Sequence, residues 1–250
     1  MCEITETDVS DKEIIGLSRL IVLRQQLDNV ARNVANQTTP GFKASHLGFQ
    51  EYLTQAKEDV PSPRRSLVAA TQFIDFSKGE LKPTGNPLDV AIVDQSSFFV
   101  VQTANGPRYT RVGSFTLDAK GDLTTLEGKA VLGVGGRVSV PNGSSQLMIG
   151  PNGSVSTKQG SLGQLRIVRF EDTRKLRAED GGLFSTESSP IDVPPSAVRL
   201  ATGVLEMSNV NAVGEMTKLM AANRAYDLVA QVILKENDKN ELKRLAGEDM

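Results

Sequence analysis

Acid–base, nucleophilic and metal chemistry most often begins at histidine or cysteine, and this chain has one of each, His46 and Cys2. A catalytic triad or a Cys–His dyad needs a histidine beside a nucleophile, with a carboxylate to orient it. His46 sits in FKASHLGF and no GxSxG elbow occurs, so it reads as a surface or packed histidine. A single cysteine closes no intrachain disulfide, and one of each type leaves no Cys/His set for a structural zinc. The stretch GVGGRV, residues 133–138, has Val138 at the third glycine position of a dinucleotide loop and strand-like flanks, and reads as a tight hairpin turn. In DTRKLRAED, residues 172–180, acids alternate with Arg174, Lys175 and Arg177, which favours a self-compensating solvated loop over a cation site. Asn36, Asn142 and Asn152 each open an Asn-x-Ser/Thr triplet, read as turn chemistry. Paired carboxylates for glycoside cleavage leave no mark in a sequence, but at 5% aromatic residues there is little to stack a sugar on. The expectation is a protein that is not an enzyme, with no catalytic, cofactor or metal residues and no small-molecule substrate.

Charge narrows the partners. Lysine and arginine number 28 against 30 acids, a net charge of -2, without the basic excess that binding nucleic acid requires. The first residues, MCEITETDVSDKEII, are acidic where a secretory signal needs a basic start and an apolar run. No segment approaches the roughly 18 continuous apolar residues of a membrane span. If the chain leaves the cytoplasm, the expected route needs no cleaved signal.

The elements available to position side chains are of two kinds. Between Leu17 and Ala35 the residues Leu20, Leu23, Leu27, Val30 and Val34 step by 3, 4, 3, 4, the a/d spacing of a heptad. From Val210 to about Leu245 the same steps recur through Met216, Leu219, Asn223, Tyr226, Ala230, Ile233 and Asn237. Asn223 and Asn237 would be polar residues on an apolar seam, which lower stability and specify register. Burying each large apolar residue is worth roughly 1.5–3 kcal/mol, and a lone amphipathic helix is only marginally formed in water. Both helices therefore need each other or a partner chain.

The middle reads as short strands separated by glycine turns: PLDVAIV, SFFVVQT, PRYTRVGSFTLD, KAVLGV, RVSVP, SQLMIG and QLRIVRF. Turns such as TANGPR, LEGKA and GPNGSVS supply the positive φ of hairpins, so the sheet is expected to be antiparallel. KEDVPSPRRS and SSPIDVPPSAV are proline-rich and read as connectors. The expected fold is α+β, mainly β: an antiparallel β domain inserted between N- and C-terminal helices that form a coiled-coil-like axial domain. Residues 1–56 and 201–250 make the discontinuous helical domain and 76–187 the β domain, with connectors at 57–75 and 188–200.

Four blocks resemble one known family. ARNVANQTTPGFK, residues 31–43, is similar to the asparagine-rich N-terminal signature of flagellar rod and hook proteins. FSKGELKPTGNPLDVAI (76–92), FFVVQTANGPRYTRVGSFTLDAKGDLTTLEGKAVLG (98–133) and ATGVLEMSNVNAVGEMTKLMAANRAYDLV (201–229) follow in the family's order. Within the family, VLG after the hairpins, LGQLRIVRF (162–170) and LEMSNVNAVGEMTKL are most similar to the proximal-rod branch, with the distal rod as the close competitor. Some positions depart from the family's habits: residues 94–97 replace glycine-rich turn residues, Arg32 stands where a second asparagine is common, and Pro40 where threonine is frequent. The resemblance implies a structural subunit of the bacterial flagellar basal body, in the periplasmic rod, exported unfolded through the flagellar type III apparatus. Its implied partners are copies of itself and other rod proteins. The terminal helices would form the inner coiled-coil layer of a helical tube, with Leu20, Leu23, Leu27, Val30, Asn33, Val34, Asn36, Gly41, Phe42, Asn209, Asn211, Met216, Leu219, Asn223, Tyr226, Ala230 and Ile233 as the subunit-assembly residues. Outside that class, the same β scaffold suits a binding module or a hydrolase.

Overall fold

The computed structural model describes residues 11–54, 65–141 and 147–246. Cys2 and the triplet opened by Asn142 lie outside them. The chain divides into two compact units, one made of Met1–Val34, His46–Gln72 and Ala212–Met250, the other of Ala35–Ser45 and Phe73–Asn211.

The first unit contains helix α1, Asp11–Ala35, and helix α2, Ala212–Ala246. Asn33, near the end of α1, donates through Nδ2 to Glu215 Oε2 near the start of α2 at 3.0 Å. At the other end, a Cβ added to Gly16 would lie 2.9 Å from Ile233 Cδ1. Because sequence order reverses between these two contacts, the helices are antiparallel, matched over about 26 Å at 1.5 Å per residue. A hairpin of two strands, Ser45–Thr54 and Arg65–Ile74, joins them. Arg65–Ile74 falls within the stretch expected to be a connector. Its β-branched and apolar content, RSLVAATQFI, follows two prolines that made the region read as irregular.

The second unit is mainly β, with a short 3-10 turn at Thr173–Lys175. Its main sheet has ten strands, antiparallel at every pairing, running through Arg177–Glu179, Leu183–Ser185, Gly106–Thr110, Ser97–Thr103, Ala130–Gly133, Leu123–Thr125 and Phe115–Leu117, with three more joining off this path. Ser97–Thr103 is its centre and explains its own sequence. Side chains alternate across a strand, so Phe99 and Val101 enter a core with Val90, Leu123, Val131 and Leu165, while Phe98 and Val100 enter a second with Tyr109, Phe170 and Phe184. A strand covered on both faces reads as an unbroken apolar run, FFVV. Phe98 anchors the second core through edge and tilted contacts to Phe76, Phe170 and Phe184, with ring centroids 5.2, 5.7 and 5.8 Å away.

PRYTRVGSFTLD, expected as one strand, is two. Gly113 breaks it: its carbonyl accepts from Val90 N–H at 2.9 Å, and a Cβ there would meet Val90 O at 1.6 Å. A three-stranded antiparallel sheet, Met148–Ile149, Ser154–Thr157 and Gly160–Gln164, and two small pairings, Leu200–Thr202 with Val90–Ile92 and Val204–Glu206 with Leu81–Pro83, complete the unit. The last strands of the unit thus lie beside its first.

Candidate functional site

Two sites emerge, one in each unit. In the first, α1 directs Val30 and Asn33 fully inward, with Leu20, Leu23, Leu27 and Val34 half-buried. On α2 the covered residues are Glu215, Leu219, Ala222, Tyr226, Val229 and Ile233, which fall on one side of the helix at 3.6 residues per turn. Ala230 is half-buried beside them, whereas Met216 and Asn223 are exposed. The side chain of Asn237 lies outside those described.

Opposite the covered side, α2 presents Val213, Met220 and Leu228, with Met216, Val232 and Leu234 on the flanks. Val213 is 78% exposed and Leu228 64%. On α1, Leu17 and Ile21 stand likewise on the uncovered side. Helix α2 thus carries exposed large apolar residues opposite its covered side, interspersed with Thr217, Arg224, Gln231 and Lys235.

Glu215 is the polar member of the packed face. Burial works against its charge, but hydrogen bonds from Lys218 at 2.6 Å and from Asn33, with the charges of Lys218 and His46 nearby, hold its carboxyl below the usual carboxylate range. His46 is half-buried at the start of the hairpin and takes this electrostatic part.

The second site is wholly inside the β unit, and motif reading did not assemble it. Glu206 lies between two cations: Lys43 Nζ is 2.7 Å from Oε1, and Arg111 Nη2 is 2.7 Å from Oε2. Arg111 Nε reaches the same Oε2 at 3.1 Å, and Gly79 N–H donates to Oε1 at 3.2 Å. The guanidinium also donates to the carbonyls of Asp94, Ser97 and Ile92, and the ammonium to that of Ser77. Burial alone would raise the Glu206 pKa, but Arg111 and Lys43 together keep it below its ordinary value. Lys43 shares that carboxylate with a guanidinium that repels it, and burial first of all pushes its pKa down.

The signature residues surround this triad. Gly41 N–H donates to Glu206 O at 2.7 Å, with φ at 71° and no room for a Cβ, which would meet Val112 backbone atoms at 2.6 Å. Asn209 accepts from Ala44 N–H through Oδ1 at 2.7 Å and donates through Nδ2 to Asp75 O at 2.8 Å. Asn36 accepts from the Thr39 hydroxyl at 3.2 Å, closing the turn after α1. Phe42 is half-buried and Asn211 exposed. The 94–97 turn, where glycine is usual, is closed instead by the Asp94 carboxylate, which accepts from Ser96 Oγ at 2.8 Å and Ser97 Oγ at 2.6 Å. Each triad member lay in a block singled out above: Lys43 in TTPGFK, Arg111 in RYTRVG and Glu206 in VLEMSN. Only their pairing was hidden.

Among the described residues there is no group of three or more His, Cys, Asp or Glu placed to hold a metal ion, and no helix long and apolar enough to cross a membrane. What the geometry offers is a braced β unit and helices with an uncovered apolar side.

Comparison with known proteins accords with this. Residues 92–157 match the family model described as flagellar hook protein FlgE/F/G D1 domain, and residues 201–239 the one described as flagellar basal body rod FlgEFG protein C-terminal. The chain is 35% identical to the flagellar basal-body rod protein FlgF of Caulobacter vibrioides over 94% of this chain and 95% of that protein. The chain belongs to the flagellar basal-body rod protein family. To FlgF of Escherichia coli it is 34% identical, over 83% of this chain and 86% of that one, and to the basal-body rod protein FlgG of Bacillus subtilis 30%, over 87% and 92%. As a member of the rod family it is a structural subunit of the flagellar basal body, and its partners are other rod components. The C-terminal family match begins at the 200–206 strands and runs into α2, so it spans both Glu206 and the uncovered helix side.

Proposed function

We propose that this chain is a proximal-rod subunit whose terminal helices pack against those of neighbouring copies and other rod proteins as the coiled-coil-like inner layer of a helical tube, which carries torque to the hook. It stands in the periplasm, reaches it through the flagellar type III apparatus, and is not an enzyme. The observation that carries the assembly is the set of large apolar residues on α2, Val213, Met220 and Leu228, exposed opposite the side packed in its own unit. A subunit covering that side with a different surface of its neighbour makes a heterologous contact, and where the rotation does not close such contacts build helical filaments. The resemblance to FlgF-type relatives supports the proximal position, and the FlgG relatives support the distal rod as the second reading.

The test is Leu228→Asp together with Met220→Asp in the full chain, followed by mass spectrometry of purified hook-basal bodies. The expected result is a folded variant missing from the rod, because a charge buried on an apolar face costs several kcal/mol unless paired. Normal incorporation of both would remove the helix surface from the assembly. Electron microscopy of cells lacking the gene separates the two positions: basal bodies that stop before any distal rod forms support the proximal one, and a proximal rod still in place supports the distal one.

A further inference from the structure

The Lys43–Glu206–Arg111 triad has an imbalance and an address. Side-chain exposures are 0% for both cations and 2% for Glu206, so two buried positive charges share one negative. That negative charge arrives last along the unit: it stands on Val204–Glu206, the final strand, paired with Leu81–Pro83, the first within the unit after the hairpin. Several further bonds between the front of the unit and its back come with the same segment. Gly203 N–H donates to Asp89 O and Met207 N–H to Glu80 O, both at 2.8 Å, and Asn209 holds Ala44 and Asp75. Without the segment, Arg111 keeps three carbonyl acceptors and Lys43 the Ser77 carbonyl, and no carboxylate is bonded to either; Asp94 and Asp75 act on them only at longer range. A guanidinium and an ammonium enclosed without a carboxylate are strongly disfavoured in a protein interior.

We infer that Glu206 is a folding latch: the β unit locks only when residues 200–209 dock and the carboxylate neutralises Lys43 and Arg111. Until the C-terminal segment is free, the core around Phe98 and Phe99 stays open to water. The inference does not depend on the proposed function, although a chain delivered N-terminus first would be kept unlocked until its tail emerged. Charge balance gives the latch a signature. Glu206→Gln takes away the carboxylate bonded to both cations and leaves them only the more distant Asp94 and Asp75, whereas Lys43→Met leaves one neutral Arg111–Glu206 pair, so the carboxylate is worth more than the lysine although both are almost wholly buried.

Hydrogen-exchange mass spectrometry on the full chain tests this with the wild type, Glu206→Gln, Lys43→Met and the triple variant Lys43→Met, Arg111→Met, Glu206→Met. In pulse-labelled refolding of the wild type, protection of Phe98–Val101 is expected in the same kinetic phase as Leu200–Glu206. Glu206→Gln is expected to exchange on the order of a hundredfold or more faster across 97–103 at neutral pH, with Lys43→Met well short of that. The triple variant, which encloses no charge, is expected to return to within about tenfold of the wild type. The latch is overturned if Phe98–Val101 is protected well before 200–206, if Glu206→Gln matches the wild type, if Lys43→Met is as open as Glu206→Gln, or if the triple variant is as open as Glu206→Gln.

Discussion

Gly41 shows how a single residue acts at this scale. Its φ of 71° is costly for any side chain, and a Cβ would strike the Val112 backbone, which cannot swing aside. Gly41→Ala is expected to destabilise by about 2–4 kcal/mol. Gly85, with φ at 74° but nothing within 4 Å of an added Cβ, isolates the backbone part, and Gly85→Ala should cost about 1–2 kcal/mol. Urea unfolding of the two variants checks the difference. Asn33 acts through charge. The Glu215 carboxyl it supports titrates below its ordinary value, so its contribution is complete above the unfolded carboxylate pKa and lost as pH falls through the lowered folded one. Asn33→Ala removes one of the two side-chain donors to that carboxylate, so loss of helicity on acidification should set in at a higher pH than in the wild type, as circular dichroism would show. Residues of this kind were visible in the sequence as a signature but not as bonds. Asn33, expected at contacts between copies, is wholly buried within the chain, and a sequence carries no sign of which polar residue meets which.

At the scale of elements, both helices were legible from their heptads; α2 and the end of α1 lie near the expected positions, while α1 begins six residues before Leu17. The phase on α2 was less so. A helix with apolar residues on two sides supports two interleaved heptads, and the one through Met216 and Asn223 is offset by a residue from the covered set of Glu215 and Ala222. The two sides predict different failures. Ile233 lies against Gly16 on the covered side, so Ile233→Asp should separate the helices and lower the helical signal of the monomer. Leu228→Asp, on the open side, should leave that signal intact. Equal loss of helicity in both would mean the open side is already covered within the monomer. Most strands of the β unit were legible from apolar runs and glycine turns, but the 200–206 strands were assigned to the helical part, because ATGVLE is too short to show a period and pairs with residues more than a hundred positions away.

At the scale of the whole molecule, composition and order of elements conveyed a β unit interrupting a helical one, since strands and helices have different periods and the periods change once near each end. The triad escaped because Lys43, Arg111 and Glu206 are far apart in the chain and each, seen alone, is an ordinary surface charge. The paths by which the chain leads into and out of the β unit have a mechanical meaning. Residues 41–44 and 206–209 run side by side in the same direction, joined at Gly41 to Glu206 and at Ala44 to Asn209. Tension that draws residue 35 away from residue 211 acts on these two segments from opposite ends, so their bonds and the Lys43–Glu206 contact bear the load together, in shear, and do not unzip one after another. A force of this kind is stopped at the seam before it reaches Phe98, and the β core can sit beside a line of stress without carrying it.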